Sequence, residues 1–290
     1  MSPNHPGYEP DRLKRRKVCY EQTADLDETT MSSSTAIGYV YRFRNPGNGT
    51  AARKWDLPMN AENLPVVLIP GFMLDETLWD DFITAFPERR LFIPASLGQA
   101  TTIQDIAANI VQKLPERFVL AGFSLGGYVA RAIYEAFPER TAAMILIATS
   151  LREDSAEQIN TRVAAANINS SREFSGLSTT AIRKSLHADL ASNTAIIEKI
   201  RNMGKRLGAD VFRVQSGLNR ERITLKPILC PTYVIAAKHD RLRSTEEAEE
   251  LARLTGTCVD YVDGCGHLIP LEKPDELAQR VSRWLDKTGL

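Results

Sequence analysis

The stretch AGFSLGGY (121–128) sets Ser124 between Gly122 and Gly126, directly after an apolar run and before a helix-forming segment. A serine hydroxyl is a weak nucleophile at neutral pH. It attacks a carbonyl only when a base lies within hydrogen-bond reach, an acid orients that base, and two donors await the oxyanion. A sharp strand-to-helix turn would lift Ser124 above a sheet and aim a helix N-terminus at developing negative charge. Such a turn leaves no room for side chains two residues before or after the serine, which is where glycine stands. The pattern is G-x-S-x-G in its required context of strand before and helix after. It is not G-x-G-x-x-G and has no following Lys-Ser/Thr, which argues against dinucleotide and P-loop phosphate sites. A tight turn with a capping serine is the bland alternative, so partners have to be found elsewhere in the chain.

They follow in the order Ser, Asp, His. VIAAKHDRL puts Asp240 just past a buried apolar run, and DGCGHLIPLEKP puts His267 in a loop after the next one. In an open α/β sheet, functional residues gather at the carboxyl ends of strands, so all three fall on one edge. Asp154 and Asp263 are rival acids with poorer spacing. Of the other histidines, His5 lies in the N-terminal tail, His187 in a helical stretch, and His239 beside the acid. VVLIPGFMLDETLW supplies an early strand and loop, where Gly71 allows close backbone approach. The expected oxyanion donors are the N–H groups of Phe72 and Leu125. Phe72, Met73, Phe123 and Leu125 are expected to wall the base of an apolar substrate pocket.

The elements that must position these groups alternate. Strand-like runs at 37–43, 65–70, 90–96, 117–123, 142–149, 231–237 and 257–264 alternate with helical patterns at 103–114, 125–137, 245–255 and 274–285. Strands apolar on both faces, separated by helices, predict a parallel sheet covered on both sides. The alternation stops between about 151 and 226. There, 194–207 carries Ile196, Ile197, Ile200, Met203 and Leu207 on one helical face, which predicts a helical insertion over the end of the sheet. The expected organisation is a polar tail (1–34), a first core part (35–150), a helical cap (151–226) and a second core part (227–290).

With elbow, acid, histidine and oxyanion loop in place, the sequence resembles the α/β-hydrolase superfamily from about residue 35 to 288. It is most similar to the small bacterial esterase-type branch of carboxylesterases, lactone hydrolases and pimeloyl-carrier methyl-ester esterases. LIPGFMLDETLWDDF and GCGHLIPLEKPDELAQRVSRWL carry much of the likeness. The resemblance implies a sheet of about eight strands with an inserted cap, and no cofactor. It also implies hydrolysis of an ester, lactone or thioester through an acyl-enzyme. Two features depart from the pattern: Pro70-Gly71 stands where many members have His-Gly, and IPASLGQATT replaces the usual Asp-x-x-Gly-x-Gly run. Carbon–carbon bond hydrolysis, cofactor-free perhydrolysis and acyl transfer use the same triad. A hydrolase-fold receptor for a small molecule is a further reading of a different class. A serine nucleophile argues against haloalkane dehalogenation, which needs a carboxylate.

Bulk properties narrow the remaining classes. The 290 residues carry 36 basic and 36 acidic side chains. This balance supports neither nucleic acid nor an anionic membrane as main partner. Four cysteines without CxxC spacing predict neither a zinc site nor a disulfide framework. No apolar stretch approaches the ~20 residues that span a bilayer, and the N-terminus lacks an apolar signal core, so a cytoplasmic location is expected. The expected partner is a small ester, with the chain a monomer or homodimer. Met31 precedes Ser-Ser-Ser and the first strand-like run, which suggests an alternative translation start. Intact mass of the natively expressed protein tests this: a species beginning at Met31 is expected, and a full-length mass excludes it.

Overall fold

A computed structural model describes residues 64–169, 174–220 and 227–290. The tail read at 1–34 and the strand read at 37–43 lie outside the described residues. Among the described residues the sheet has six strands: β1 (Val66–Ile69), β2 (Phe92–Pro94), β3 (Phe118–Phe123), β4 (Thr141–Ile147), β5 (Thr232–Ala237) and β6 (Val259–Val262). The expectation of about eight is corrected. Six of the seven apolar runs form paired strands, and the eighth strand rested on resemblance alone, with no apolar run behind it. The strand order is β2-β1-β3-β4-β5-β6. Every pairing is parallel, with Ile69 opposite Gly122 and Phe123 opposite Ile147.

The strands are apolar on both faces because both are covered. On β1, Val66 and Leu68 join one core with Trp79, Phe82, Leu277, Val281 and Leu285. These come from a 3-10 turn (Glu76–Trp79), α1 (Asp80–Ala85) and the C-terminal helix α9 (Pro274–Thr288). Val67 and Ile69, on the opposite pleat, join Ile103, Ile106, Ile110, Tyr128, Val129 and Leu251, from α2 (Ile103–Val111), α3 (Leu125–Ala136) and α7 (Thr245–Leu254). This is the period-2 alternation of a strand between two helix layers. Each fully buried aliphatic side chain of this kind contributes about 1.5–3 kcal/mol relative to exposure.

Local signals explain where helices start and stop. The Thr102 hydroxyl accepts from Asp105 N–H at 3.0 Å and caps α2. Ser244 and Glu247 form a reciprocal capping box on α7. Pro274 opens α9, and Gly289, at φ 71°, closes it.

Between β4 and β5 the described elements are α4 (Ala156–Asn169), α5 (Thr179–Ser185), a 3-10 turn (Ala188–Leu190) and α6 (Thr194–Ser216). The helix read at 194–207 runs on to Ser216 through a kink at Gly208, where φ is 83° and ψ 175°. Apolar periodicity breaks at this glycine, which is why the second half escaped the pattern. No helix among the described residues is long and apolar enough to cross a membrane.

The chain reverses direction across the sheet between β1 and β3. From β1 it steps outward to β2, then returns to the other side of β1 and proceeds through β4, β5 and β6. A crevice beyond the strand ends at such a switch point is where open α/β sheets bind ligands. The glycines at this point are sterically required. A Cβ on Gly126 would lie 2.3 Å from the Ile69 carbonyl oxygen, whereas one on Gly217 would meet nothing nearer than 3.6 Å. Gly126→Ala is therefore expected to cost about 1–3 kcal/mol. Gly217→Ala is expected to be neutral or stabilising by up to about 1 kcal/mol. Urea unfolding of the two variants measures the difference.

Candidate active site

Ser124 is the one residue between β3 and α3, so strand becomes helix with no intervening loop. Its backbone has φ 51° and ψ −113°, a conformation disfavoured for residues with a Cβ. Tertiary contacts hold it there. The Ser124 N–H donates to the Ile147 carbonyl at 2.9 Å, and the Ser124 carbonyl accepts from Gly127 N–H at 3.0 Å. The Thr149 hydroxyl also donates to that carbonyl, at 2.8 Å. A Cβ on Gly122 would lie 2.5 Å from the Gly126 carbonyl oxygen, and one on Gly127 would lie 2.5 Å from Thr149 Oγ1. Three glycines, not two, let the helix approach the strand ends this closely.

His267 lies in the loop between β6 and the short helix α8 (Ile269–Glu272), and Asp240 lies just past β5. The His267 Nε2 is 2.9 Å from Ser124 Oγ, and its Nδ1 is 2.7 Å from Asp240 Oδ2. His267 is 5 % exposed, and its ring packs against Phe123, ring centroids 5.2 Å apart. The other Asp240 oxygen accepts from the N–H groups of Leu242 and Arg243 at 2.7 and 3.0 Å. The carboxylate is thus oriented by backbone before it meets the imidazole. An Nδ1–H pointed at Asp240 leaves Nε2 to accept the Ser124 proton, the tautomer a general base requires.

The rival acids are engaged elsewhere. Asp154 pairs with Arg162 and Arg220 at 2.9 and 3.0 Å. Asp263 is exposed and pairs with Lys238 at 3.0 Å. His239 faces His187 and Asp263, not Ser124.

The loop after β1 lies against the start of α3, because Gly126 abuts the carbonyls of both Ile69 and Pro70. Gly71, the residue before Phe72, lies against the Phe123 side chain, where a Cβ would come within 2.9 Å of its ring. Leu125 is the first residue of α3, so its N–H has no partner within the helix. Of the four expected pocket residues, Phe72 is half-buried while Met73, Phe123 and Leu125 are buried in separate core clusters. Phe72 and Met73 belong to an apolar group with Phe174, Leu177, Val211 and Phe212. The Phe212 ring meets Phe72 at 5.9 Å and stacks on Phe174 at 5.0 Å.

Two residues of α6 not singled out in the sequence, Gln215 and Arg206, brace this loop. Met73, at φ 54°, donates its N–H to Gln215 Oε1 of α6 at 2.8 Å, and Gln215 is buried. Asp75 accepts from Arg206 of α6 at 2.7 Å and from the Thr77 hydroxyl at 2.6 Å. Neither residue stands in a motif. Their partners lie more than a hundred positions away, so only the fold pairs them.

A separate shallow cavity of about 670 Å³ is lined by Arg152, Arg220, Arg253, Glu153, Glu250 and two leucines. None of Ser124, Asp240 or His267 lines it.

A sequence model of the alpha/beta hydrolase family matches residues 66–280. The chain belongs to the α/β hydrolase family. Among solved structures, this α/β hydrolase is similar to a thermophilic esterase from Thermogutta terrifontis. That match has 28 % identity and a TM-score of 0.65, covering 79 % of this chain and 91 % of the other. An enol-lactonase from Burkholderia xenovorans LB400 shares the fold at 19 % identity and a TM-score of 0.65, covering 77 % of this chain and 92 % of the other. A pimeloyl-[acyl-carrier protein] methyl ester esterase of Pectobacterium carotovorum is 33 % identical over 98 residues. That match spans 31 % of this hydrolase and 38 % of the relative's length.

The brace at Asp75 makes a pH prediction. Burial alone would raise its pKa, but the Arg206 guanidinium and the Thr77 hydrogen bonds outweigh burial and hold the carboxyl below its ordinary range. A carboxyl depressed in the folded state stabilises the fold above its unfolded pKa of about 3.9. That contribution fades as pH falls through the folded value. Melting temperature followed from about pH 5 to pH 2 is expected to fall less steeply in Arg206→Met than in wild type. Parallel curves would refute the brace.

Proposed function

We propose that this protein is a serine esterase acting on small hydrophobic carboxylic esters. The observation that carries the reading is His267, bonded on one side to Asp240 and on the other to Ser124 at a strained strand–helix elbow. Ser124 Oγ attacks the ester carbonyl as His267 Nε2 takes its proton. The N–H groups of Phe72 and Leu125 stabilise the tetrahedral oxyanion. Collapse expels the alcohol, which receives the proton from His267, and leaves the acyl group on Ser124. Water, deprotonated by the same imidazole, then attacks the acyl-enzyme and frees the acid. Asp240 orients the ring and stabilises its cationic form throughout.

In this reading residues 151–226 form a cap, and the substrate's apolar part lies between the cap and the strand ends. Phe72 forms the base of that pocket, backed by the buried Met73, Phe123 and Leu125, and Phe174, Val211 and Phe212 approach from the cap side. The packing of Phe72 on Phe212 supports this placement. The esterase relatives support an ester over other acyl compounds, and the name of the methyl ester esterase suggests a small alcohol as leaving group.

The test is hydrolysis of p-nitrophenyl esters from acetate to decanoate. Ser124→Ala is expected to lower kcat by about 10⁶-fold, to near background, while wild-type rates trace the acyl pocket's length. Equal turnover by the variant, or none by folded wild type on any ester, would reject the reading.

A further inference from the structure

The loop that carries His267 is held by one side chain outside the Ser–His–Asp constellation. Glu272, the last residue of α8, turns its carboxylate back on the loop. Its Oε2 accepts from Gly266 N–H at 3.1 Å and its Oε1 from Leu268 N–H at 3.0 Å. The amides immediately before and after His267 are therefore bound by the same carboxylate. A third donor reaches it from a distant part of the chain, the His187 N–H, at 2.8 Å to Oε2.

The stretch Ser185–His187, at the end of α5, lies directly against this loop. The His267 N–H donates to the Ser185 carbonyl at 2.8 Å. A Cβ on Gly266 would sit 2.4 Å from the His187 nitrogen and 2.6 Å from the Leu186 carbonyl carbon. No side chain larger than glycine's fits between the two strands of chain. An ionised carboxylate accepts at both oxygens and suits three converging N–H donors, and charge-assisted bonds are shorter and about twice as strong as neutral ones.

We propose that Glu272 is a positioning residue for His267. It fixes the backbone on both sides of the imidazole, and so the ring's line to Ser124. Through His187 it couples that line to the seating of the helical segment between β4 and β5. This rests on the serine-hydrolase reading of the site. Glu272 touches neither substrate nor reacting atoms, so its loss slows chemistry without weakening substrate binding.

The experiment compares wild type with Glu272→Gln, Glu272→Asp and Gly266→Ala. It uses p-nitrophenyl butyrate turnover, the rate of Ser124 labelling by a fluorophosphonate, thermal melting, and the low-field proton resonance of the His267 Nδ1–H. A glutamine keeps the shape but presents an NH₂ to the donors on one side, whichever way it turns. Glu272→Gln is expected to lose about 10–100-fold in kcat, the scale of a small misplacement of a reacting group. KM should stay within about twofold. Its Ser124 should label slowly but completely, and the Nδ1–H resonance should shift or broaden. Glu272→Asp keeps the charge but reaches fewer donors and should fall between the two. Gly266→Ala, with Glu272 intact, should also lose kcat by forcing Ser185–His187 away.

Undiminished kcat in Glu272→Gln beside active wild type overturns the positioning role alone. A loss matched by an unlabelled, unfolded fraction in every variant, with an unmoved resonance, assigns Glu272 to general stability and also overturns it. Failure of wild type to label or turn over overturns the hydrolase reading instead.

Discussion

Everything at this site depends on how closely α3 can approach the ends of β1 and β3. Ser124 must face outward from a turn with no spare residue, so the helix begins within van der Waals contact of the strands. The approach is limited by backbone atoms, which cannot rotate away as side chains do. Gly126 lies against the carbonyls of Ile69 and Pro70, Gly122 against the first turn of α3, and Gly127 against Thr149. The serine carries the remaining cost as an unfavourable backbone conformation. Among the described residues the non-glycines with positive φ are Met73, Ser124 and Ala148, on the chain leaving β1, β3 and β4. Residues of this kind cost about 1–3 kcal/mol each and persist only where surrounding bonds over-determine them. Here those bonds are identifiable: Gln215 to Met73, Ile147 and Thr149 to Ser124, and Ile235 to Ala148.

The helical segment between β4 and β5 supplies one of these bonds, from Gln215, and restrains the His267 loop as well. At one end of the crevice, α6 holds the loop after β1 through Gln215 and Arg206. At the other, Ser185 and His187 hold the His267 loop. Its origin is anchored to α3, where Tyr128 donates to the Arg152 carbonyl at 2.7 Å and Arg131 to the Ser150 carbonyl at 3.2 Å. The two halves of α6 meet at Gly208, so one half bears Arg206 and the other bears Phe212 and Gln215. A segment tied to both the loop after β1 and the His267 loop links the two sides of the Ser124 site. Fold likeness to esterases and a lactonase does not settle which substrate that is, because unrelated reactions share this scaffold.

Much of the site was legible in the residues alone. The spacing around Ser124 implied the elbow, because only glycine satisfies the contacts at 122 and 126. The chain order Ser124, Asp240, His267 and their places after strands implied a shared edge, because parallel strands deliver their carboxyl ends to one side. Apolar runs marked six paired strands. Bounds slipped by a few residues at the ends, and α6 was cut short because Gly208 interrupts its periodicity.

What the sequence by itself determined is the chemistry available and the sheet edge that gathers it, since both follow from residue type and local period. What only the tertiary structure decided is which groups hold that chemistry in place. Thr149 and Gln215 are ordinary polar residues in sequence, and nothing local separates them from surface side chains; Glu272 stands within GCGHLIPLEKP, but its bond to the distant His187 N–H is not legible there. Their roles arise from backbone N–H and carbonyl groups that the fold leaves unpaired at the strand ends. A buried amide must find an acceptor, but which side chain supplies it depends on elements far apart in the chain meeting at one point.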